Sequence, residues 1–103
     1  MLFSTANERP FTAEAVQLYA PAASGVYAIY NAQEWIFIGE SADIRKQLLR
    51  HLGESGCIQE RVPRGFTFEL CGAEERLKRQ QELILQLRPA CNVQTNSSPA
   101  KSE

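Results

Sequence analysis

The sequence has few of the residues that build metal centres and disulfide frameworks. It contains one histidine and three cysteines in 103 residues. There is no CxxC pair, so we expect no structural zinc site. An odd number of widely spaced cysteines argues against a disulfide framework. We therefore expect Cys57, Cys71 and Cys91 to be buried or half-buried free thiols in a reducing cytosol.

The sequence also lacks a long hydrophobic run and a large net charge. No apolar stretch is long enough to cross a bilayer, and the first residues have no charged-then-apolar signal pattern. We therefore expect a cytoplasmic protein with no membrane partner. The formal net charge is -1, so any attraction for nucleic acid must come from a local group of basic side chains.

The length and the apolar content predict one small globular domain. Hydrophobic residues make up 44% of 103 residues, which is enough for a single core. We predict that this domain spans residues 1–93. Residues 94–103 (QTNSSPAKSE) have no large apolar side chain and predict a disordered C-terminal tail.

The hydrophobic pattern predicts an α+β domain with the element order α-β-β-α-β-α. Three segments favour strands, and they predict a small three-stranded antiparallel sheet flanked by helices: residues 25–31, 34–39 and 66–71. Three segments favour helices: residues 13–19 after an N-cap at Thr12, a helix from an N-cap at Ser41 to a stop at Gly53, and residues 73–88.

The first strand segment has apolar residues on both faces, which predicts a strand covered on both sides. In the first helix, Val16 and Tyr19 are predicted to pack on the core. In the second helix, the spacing of Ile44, Leu48 and Leu52 predicts a buried stripe.

Two finer predictions concern the faces of the second strand and the last helix. Regular alternation in the second strand predicts Trp35 and Phe37 on one face and Ile36 and Ile38 on the other. In the last helix the apolar face is predicted to comprise Leu77, Ile84 and Leu87, with the amide of Gln80 inside it. A buried amide there would need hydrogen-bond partners.

Short motifs within residues 25–92 share their order with a known enzyme family. Residues 25–27 (GVY) are followed about ten residues later by residues 37–39 (FIG). A helix ending near His51, a strand, and a last helix closing on residues 89–92 (PACN) complete the order. This arrangement resembles the GIY-YIG nuclease superfamily, and the resemblance implies that family's α+β fold.

The resemblance also implies a set of catalytic positions for phosphodiester hydrolysis. The family uses a tyrosine of the first motif, a second tyrosine, an arginine, a tyrosine or histidine on the same helix, and a glutamate that holds one divalent metal ion. Carried onto this sequence, Tyr27 and His51 match two of these positions. The second tyrosine is replaced by Phe37, the arginine by Gln47 and the glutamate by Gln80.

The two glutamines remove the charges that the implied chemistry needs. Magnesium is usually held by one or two carboxylates together with waters and phosphates. Loss of a transition-state arginine lowers phosphoryl-transfer rates by roughly a thousandfold or more. We therefore predict that the domain is catalytically inactive as a nuclease, with vestigial Tyr27 and His51 and no metal or other cofactor.

The predicted second helix carries a basic surface made of Arg45, Lys46 and Arg50. We interpret these as candidate nucleic-acid-binding residues, for weak binding of DNA or RNA. As a plainer alternative, charged helix faces are often only solvated, and His51 suits the negative end of a helix dipole.

Two further functions stay open at this point. One is an active, magnesium-dependent phosphodiester endonuclease with a rearranged site, which uses Tyr27, His51 and Arg50 and requires a carboxylate near the Tyr27 hydroxyl. The other is a non-enzymatic protein-interaction module in which the old cleft is filled. The sequence carries no signal for an oligomeric state.

Overall fold

The computed structural model describes residues 8–92, which form a four-stranded antiparallel sheet between helices. The strands are β1 (Arg9–Pro10), β2 (Gly25–Tyr30), β3 (Trp35–Ser41) and β4 (Gly65–Leu70). The helices are α1 (Ala13–Tyr19), α2 (Ile44–Gly53), α3 (Cys57–Glu60) and α4 (Ala73–Leu87). The strand order is β1-β4-β2-β3, and each neighbouring pair is antiparallel.

This architecture confirms the predicted α+β class and all three predicted strands. The sheet has four strands because β1 pairs with β4, and a two-residue strand is too short to show a hydrophobic period. The predicted tail at residues 94–103 lies outside the described residues. No described helix is long and apolar enough to span a membrane.

Strand β2 lies between the two halves of the hydrophobic core. Its alternation places Tyr27 and Ile29 in the cluster that α1 and α2 cover, whereas Val26 and Ala28 face α4. Five of its six residues are buried. The prediction of a strand covered on both sides is therefore confirmed.

Strand β3 contains a β-bulge that the sequence did not reveal. Ile29 pairs with Phe37 and the next residue of β2 pairs with Trp35, which leaves Ile36 as the extra residue. As a result, Ile36 and Phe37 both pack on the α1–α2 side, while Ile38 faces α4. The regular alternation predicted for this strand is wrong.

Helices α1 and α2 pack on the same side of the sheet. In α1 the predicted N-cap holds, since the Thr12 hydroxyl accepts a hydrogen bond from the backbone N–H of Ala15. Val16 is buried as predicted, but Tyr19 is 50% exposed. In place of core packing, the Tyr19 ring lies under the guanidinium of Arg9.

The N-cap of α2 is Asp43, whose carboxylate accepts a 3.0 Å hydrogen bond from the backbone N–H of Lys46. The predicted cap, Ser41, is instead the last residue of β3 and pairs with Gly25. The helix buries Ile44 and Leu48 against the core, as the sequence predicted.

Helix α4 covers β2 and β3 from the opposite side. Its inward face carries Arg76, Gln80, Leu83 and Leu87, which lie within about 60° of each other at 100° per residue. Leu83 is fully buried. Of the predicted face, Ile84 and Leu87 pack on this part of the core and Gln80 reaches β3, whereas Leu77 is 56% exposed and the prediction is wrong for it.

The free edge of β3 is covered by the chain segment that follows α4. The backbone N–H groups of Ala90 and Cys91 donate to the carbonyls of Trp35 and Ile36, at 3.0 and 2.8 Å. Covering an edge strand in this way satisfies backbone groups that would otherwise be open to pairing. We call residues 90–92 the edge segment.

A disulfide joins the edge segment to α3. Cys57 and Cys91 are bonded, with their Cα atoms 5.9 Å apart and a sequence separation of 34. The prediction of three free thiols is therefore wrong for this pair, and Cys71 alone is free. The pairing arises because the fold brings α3 and the edge segment together on the α1–α2 side of the core.

Candidate functional site

The centre of the candidate site is a hydrogen bond between Tyr27 of β2 and His51 of α2. The Tyr27 hydroxyl lies 2.8 Å from His51 Nε2. Tyr27 points toward α2 because of the alternation of β2, and His51 faces the sheet from the last turn of α2. Both residues stand at positions that the family resemblance implies to be catalytic. The fold brings their side chains into direct contact.

Glu54, just after α2, extends this contact into a chain of three side chains. Its Oε1 lies 3.2 Å from His51 Nδ1. We assign the proton to Nδ1, so that Nδ1–H donates to Glu54 and Nε2 accepts from the Tyr27 hydroxyl. The hydrogen bonds that connect Glu54 to Tyr27 run through the imidazole ring.

Burial sets the protonation states of the central pair. It raises the pKa of Tyr27 well above its ordinary value, and the nearby carboxylates of Glu54 and Glu40 raise it further. Burial also lowers the pKa of His51, although the adjacent carboxylate of Glu54 opposes that change. At neutral pH the site therefore holds a neutral tyrosine and a neutral imidazole.

Phe37 of β3 closes the site with a third ring. Its centroid lies 5.0 Å from that of His51 and 6.2 Å from that of Tyr27. Tyr27 is only 2% exposed and the His51 side chain 14% exposed. Three aromatic rings thus fill the space next to β3, and the Tyr27 hydroxyl is shielded from solvent.

The ring of Tyr27 packs against Gly39, which is the partner of Tyr27 in the pairing of β2 with β3. A Cβ atom built on Gly39 would overlap the Tyr27 hydroxyl and ring edge, and would lie 2.9 Å from Phe37. The residue before Gly39 is Ile38, whose carbonyl accepts a 3.0 Å hydrogen bond from Gln80 Nε2. Gln80 therefore reaches the strand position next to the Tyr27 contact.

The side chain of Asn92, in the edge segment, also binds the backbone of Ile38. Its Oδ1 accepts from the Ile38 N–H at 2.6 Å, and its Nδ2 donates to the Ile38 carbonyl at 2.8 Å. The Ile38 carbonyl thus receives amide N–H groups from both Gln80 and Asn92. Each amide donates here, a role that an ionised carboxylate cannot perform.

Gln47 lies one turn before His51 on α2 and is half-buried. Gln80 donates to the Ile38 carbonyl, and within residues 8–92 no hydrogen bond joins it to Gln47. The two glutamines therefore do not form one paired amide site.

The described residues do not fit the single divalent cation that the fold family implies. The Gln80 position offers a neutral amide whose nitrogen is already bonded to Ile38. Within residues 8–92 no cluster of three His, Cys, Asp or Glu side chains is arranged to hold a metal ion. Over the same range no buried side-chain nitrogen or oxygen lacks a hydrogen-bond partner, so none stands as a vacant ligand.

The three basic residues predicted on α2 do not form one uniform surface. Arg45 is half-buried, and its Nε donates to the carbonyl of Ala20 at 2.8 Å. Lys46 and Arg50 are exposed, and Arg50 forms an exposed ion pair of 3.7 Å with Glu54. The open positive charge of this helix thus comes from Lys46 and Arg50.

Two contributors to the site were missed in the sequence. Glu54 stands three residues after His51, and that i, i+3 spacing was a usable signal for a contact at a helix end. Gln59 donates from its Nε2 to the carbonyl of His51 at 2.8 Å and joins α3 to the end of α2. No local sequence pattern predicts the contact between Gln59 and His51, because it depends on the conformation of the loop between α2 and α3.

Comparison with known proteins yields a structural likeness only. No protein-family model matches the sequence, and the search of curated proteins found no match. Solved structures of the GIY-YIG N-terminal endonuclease domain of UvrC from Thermotoga maritima do match. The magnesium-bound structure is 23% identical, with 75% of this chain and 90% of that chain covered and a TM-score of 0.64.

Two point mutants of the same domain, each bound to its catalytic divalent cation, match equally well. A tyrosine-to-phenylalanine mutant is 24% identical, with 75% of this chain and 90% of that chain covered and a TM-score of 0.63. An asparagine-to-alanine mutant is 23% identical, with 75% and 89% covered and a TM-score of 0.64. At such identities the likeness concerns the backbone arrangement, and this chain therefore has the GIY-YIG nuclease fold.

Proposed function

We propose that this chain is a GIY-YIG-fold domain that has lost metal-dependent phosphodiester cleavage and binds nucleic acid weakly through α2. The observation that carries the proposal is the hydrogen bond from Gln80 Nε2 to the Ile38 carbonyl. At the position where the fold family has its metal-binding glutamate, this chain has an amide that supports the backbone. The UvrC domains, by contrast, bind a catalytic divalent cation.

The residue at the family's arginine position supports the same proposal. Gln47 stands at the family's arginine position and carries no charge. Arg50 is the nearest substitute on the helix, but its guanidinium is paired with Glu54. A cation that stabilises a phosphoryl transition state must be held at the reacting group, and Arg50 is 69% exposed.

A plasmid-nicking assay with magnesium or manganese tests the loss of cleavage. We expect the wild-type chain to show no cutting above buffer. The matched comparison is the double variant Gln47→Arg/Gln80→Glu, which restores both charges, with folding checked by circular dichroism. Metal-dependent cutting by the wild type that disappears in Tyr27→Phe would contradict the proposal and would favour an active, rearranged nuclease.

Binding to fluorescent single-stranded and double-stranded DNA and RNA, at low and at physiological salt, tests the second part. Binding through Lys46 and Arg50 should weaken steeply as salt rises, because basic side chains displace counterions from the backbone. The variant Lys46→Ala/Arg50→Ala should bind less tightly than the wild type. Lys78→Ala, on exposed α4, serves as the control that removes a cation from another face.

A non-enzymatic protein-interaction module is the second candidate function. It is favoured by the burial of Tyr27 against Phe37 and His51, which shields the Tyr27 side chain from solvent at the old catalytic centre. No nucleic-acid binding even at low salt would reject our first candidate and support this one.

A further inference from the structure

We propose that the Cys57–Cys91 disulfide is a redox-responsive latch that holds the edge segment on β3. The bond joins α3 to the edge segment across 34 residues of sequence. Hydrogen bonds connect each end of the latch to the candidate site, from Cys91 to β3 and from Gln59 of α3 to His51. This inference is independent of whether the domain binds nucleic acid.

The edge-segment end of the latch controls the backbone of β3. Cys91 donates its N–H to the carbonyl of Ile36, and the Asn92 side chain accepts from the Ile38 N–H and donates to the Ile38 carbonyl. These contacts cover an otherwise open strand edge and hold Ile38 beside Gln80. When the edge segment leaves, Ile38 loses its N–H acceptor and one of the two amide donors to its carbonyl.

The other end of the latch controls the end of α2. Cys57 is the first residue of α3, and Gln59 of the same short helix binds the carbonyl of His51. A four-residue helix has little stability of its own. The disulfide therefore fixes α3 in place and, through Gln59, the backbone position of His51.

The different exposure of the two cysteine residues gives the order of the redox steps. Cys57 is half-buried and Cys91 is 6% exposed, so an external reagent reaches Cys57 first. To close the latch, the Cys57 thiolate attacks a low-molecular-weight disulfide and releases one thiolate of that reagent. The Cys91 thiolate then displaces the second thiolate from the mixed disulfide. Two protons and two electrons thereby pass from the cysteine pair to the reagent.

The third cysteine does not compete effectively in this exchange. Burial raises the pKa of the Cys71 thiol, and the carboxylates of Glu69 and Glu75 raise it further. Since the thiolate is the attacking species, this raised pKa disfavours attack by Cys71 at neutral pH. It lies at the end of β4, whereas the latch joins α3 to the edge segment.

The role of this disulfide depends on the redox state of its cellular compartment. Disulfides in a reducing cytosol are rare and are usually transient, catalytic or redox-sensing. A cytoplasmic location, which we expected from the sequence, would therefore make the latch open and close with the thiol balance. The edge segment would be covered in the oxidised protein and would open more often in the reduced protein.

Hydrogen–deuterium exchange of the full chain, in glutathione disulfide and in a phosphine reductant, tests the latch. Alkylation and mass measurement should count one free thiol in the oxidised protein and three in the reduced protein. The amides of Ile38 and Cys91 should exchange roughly tenfold faster or more after reduction, since the cross-link closes a long loop. Amides in the β2–β4 pairing should change far less.

Two variants separate the latch from other thiol effects. Cys71→Ser should keep the full difference between oxidised and reduced protein. Cys57→Ser should exchange like the reduced wild type under both conditions. If Cys57→Ser does not fold, the reduced wild type decides alone, because it needs no substitution.

Three results would overturn the proposal. Equal exchange of the Ile38 amide in both redox states would show that the bond does not hold the edge segment. Uniformly faster exchange in all strands would show a general cross-link and not a local latch. Three free thiols in glutathione disulfide would show that the bond does not form.

Discussion

Gln80 of α4 donates its side-chain N–H to the backbone carbonyl of Ile38 over 3.0 Å. This contact connects the helix that covers β3 with the strand residue next to the Tyr27–Gly39 contact. A glutamine is suited to it because an amide donates to a carbonyl, whereas an ionised carboxylate would place negative charge against another oxygen. The side chain at this position can therefore donate a hydrogen bond to the Ile38 carbonyl as an amide, or carry a negative charge for a metal ion as a carboxylate, but it cannot do both.

The variant Gln80→Glu should be less stable than the wild type. The lost hydrogen bond and the facing oxygens should lower the free energy of unfolding by about 1–3 kcal/mol at neutral pH. Urea unfolding followed by circular dichroism measures this change. Gln81→Glu, on the exposed neighbouring position, adds the same charge and should have little effect. An equal loss in both variants would mean that charge on α4, and not the Ile38 contact, determines stability.

Replacing Asn92 should destabilise the domain in two graded steps. Asn92→Asp keeps an acceptor for the Ile38 N–H but loses the donor to the carbonyl, and Asn92→Ala loses both hydrogen bonds. Since Asn92 is buried, we expect a cost of about 1–3 kcal/mol for the first change and more for the second. Gln33→Ala, on the exposed hairpin turn, is the control for an amide lost at the surface. Identical unfolding midpoints for Asn92→Ala and the wild type would refute the role of this contact.

The single histidine makes the site directly readable by proton NMR. We expect the pKa of His51 to lie below its ordinary value of 6.5, because burial disfavours the charged ring. Tyr27→Phe should raise this pKa, since the hydroxyl donates to the neutral form. Glu54→Gln should lower it further, and Glu60→Gln on the exposed end of α3 should leave it unchanged. A pKa at or above 6.5 in the wild type would contradict the assignment.

The same pKa shift predicts how stability depends on pH. Because the folded pKa is lower than the unfolded one, the unfolded chain binds more protons as the pH falls through about 6.5. The wild type should therefore lose stability between about pH 7.5 and pH 5.5, and His51→Gln should lose less. Unfolding midpoints of both proteins, measured over this range, test the difference; parallel curves would exclude His51 as the cause.

Gly39→Ala should disturb the packing of the aromatic rings. The added methyl would overlap the Tyr27 hydroxyl and lie 2.9 Å from Phe37. We expect a loss of about 1–3 kcal/mol, as for other overpacked cores. Gly53→Ala is the matched control, because no atom lies within 4 Å of the added methyl at the end of α2. It should be neutral or slightly stabilising. A Gly39→Ala variant of wild-type stability would show that the rings move aside freely.

The fold was predictable where one local rule was enough. The apolar residues of β2 face both halves of the core, and their uninterrupted run announced this. In α2 the spacing of Ile44 and Leu48 identified the buried stripe. These elements follow from periodicity, which depends only on neighbours in sequence.

The errors arose where distant parts of the chain decide the structure. The bulge at Ile36 breaks the period of two, and no residue in the strand marks it. Ser41 has the side chain of an N-cap, but pairing with Gly25 keeps it in β3. In α4, Arg76 and Arg79 face the sheet and form ion pairs with Glu40 and Glu69, whereas Leu77 faces outward. Tertiary contacts of this kind outweigh local preference.

The candidate site was predictable in part, for the same reason. Tyr27 and His51 were placed by the family's motif order, and they meet in space. The use of Gln80 as a donor to Ile38 and the Cys57–Cys91 bond were not predictable, because each joins segments that are more than 30 residues apart.

The tight contact at Gly39 shows that a motif glycine can be required by packing alone, independently of the chemistry at the site. Gly25 is under a similar restriction, because a side chain there would overlap the carbonyl of Glu69 and press on Ile44. Both motif glycines are thus required by steric fit, whatever becomes of the catalytic charges. The glycines of such a motif therefore report on the fold, and the reaction must be judged from other positions.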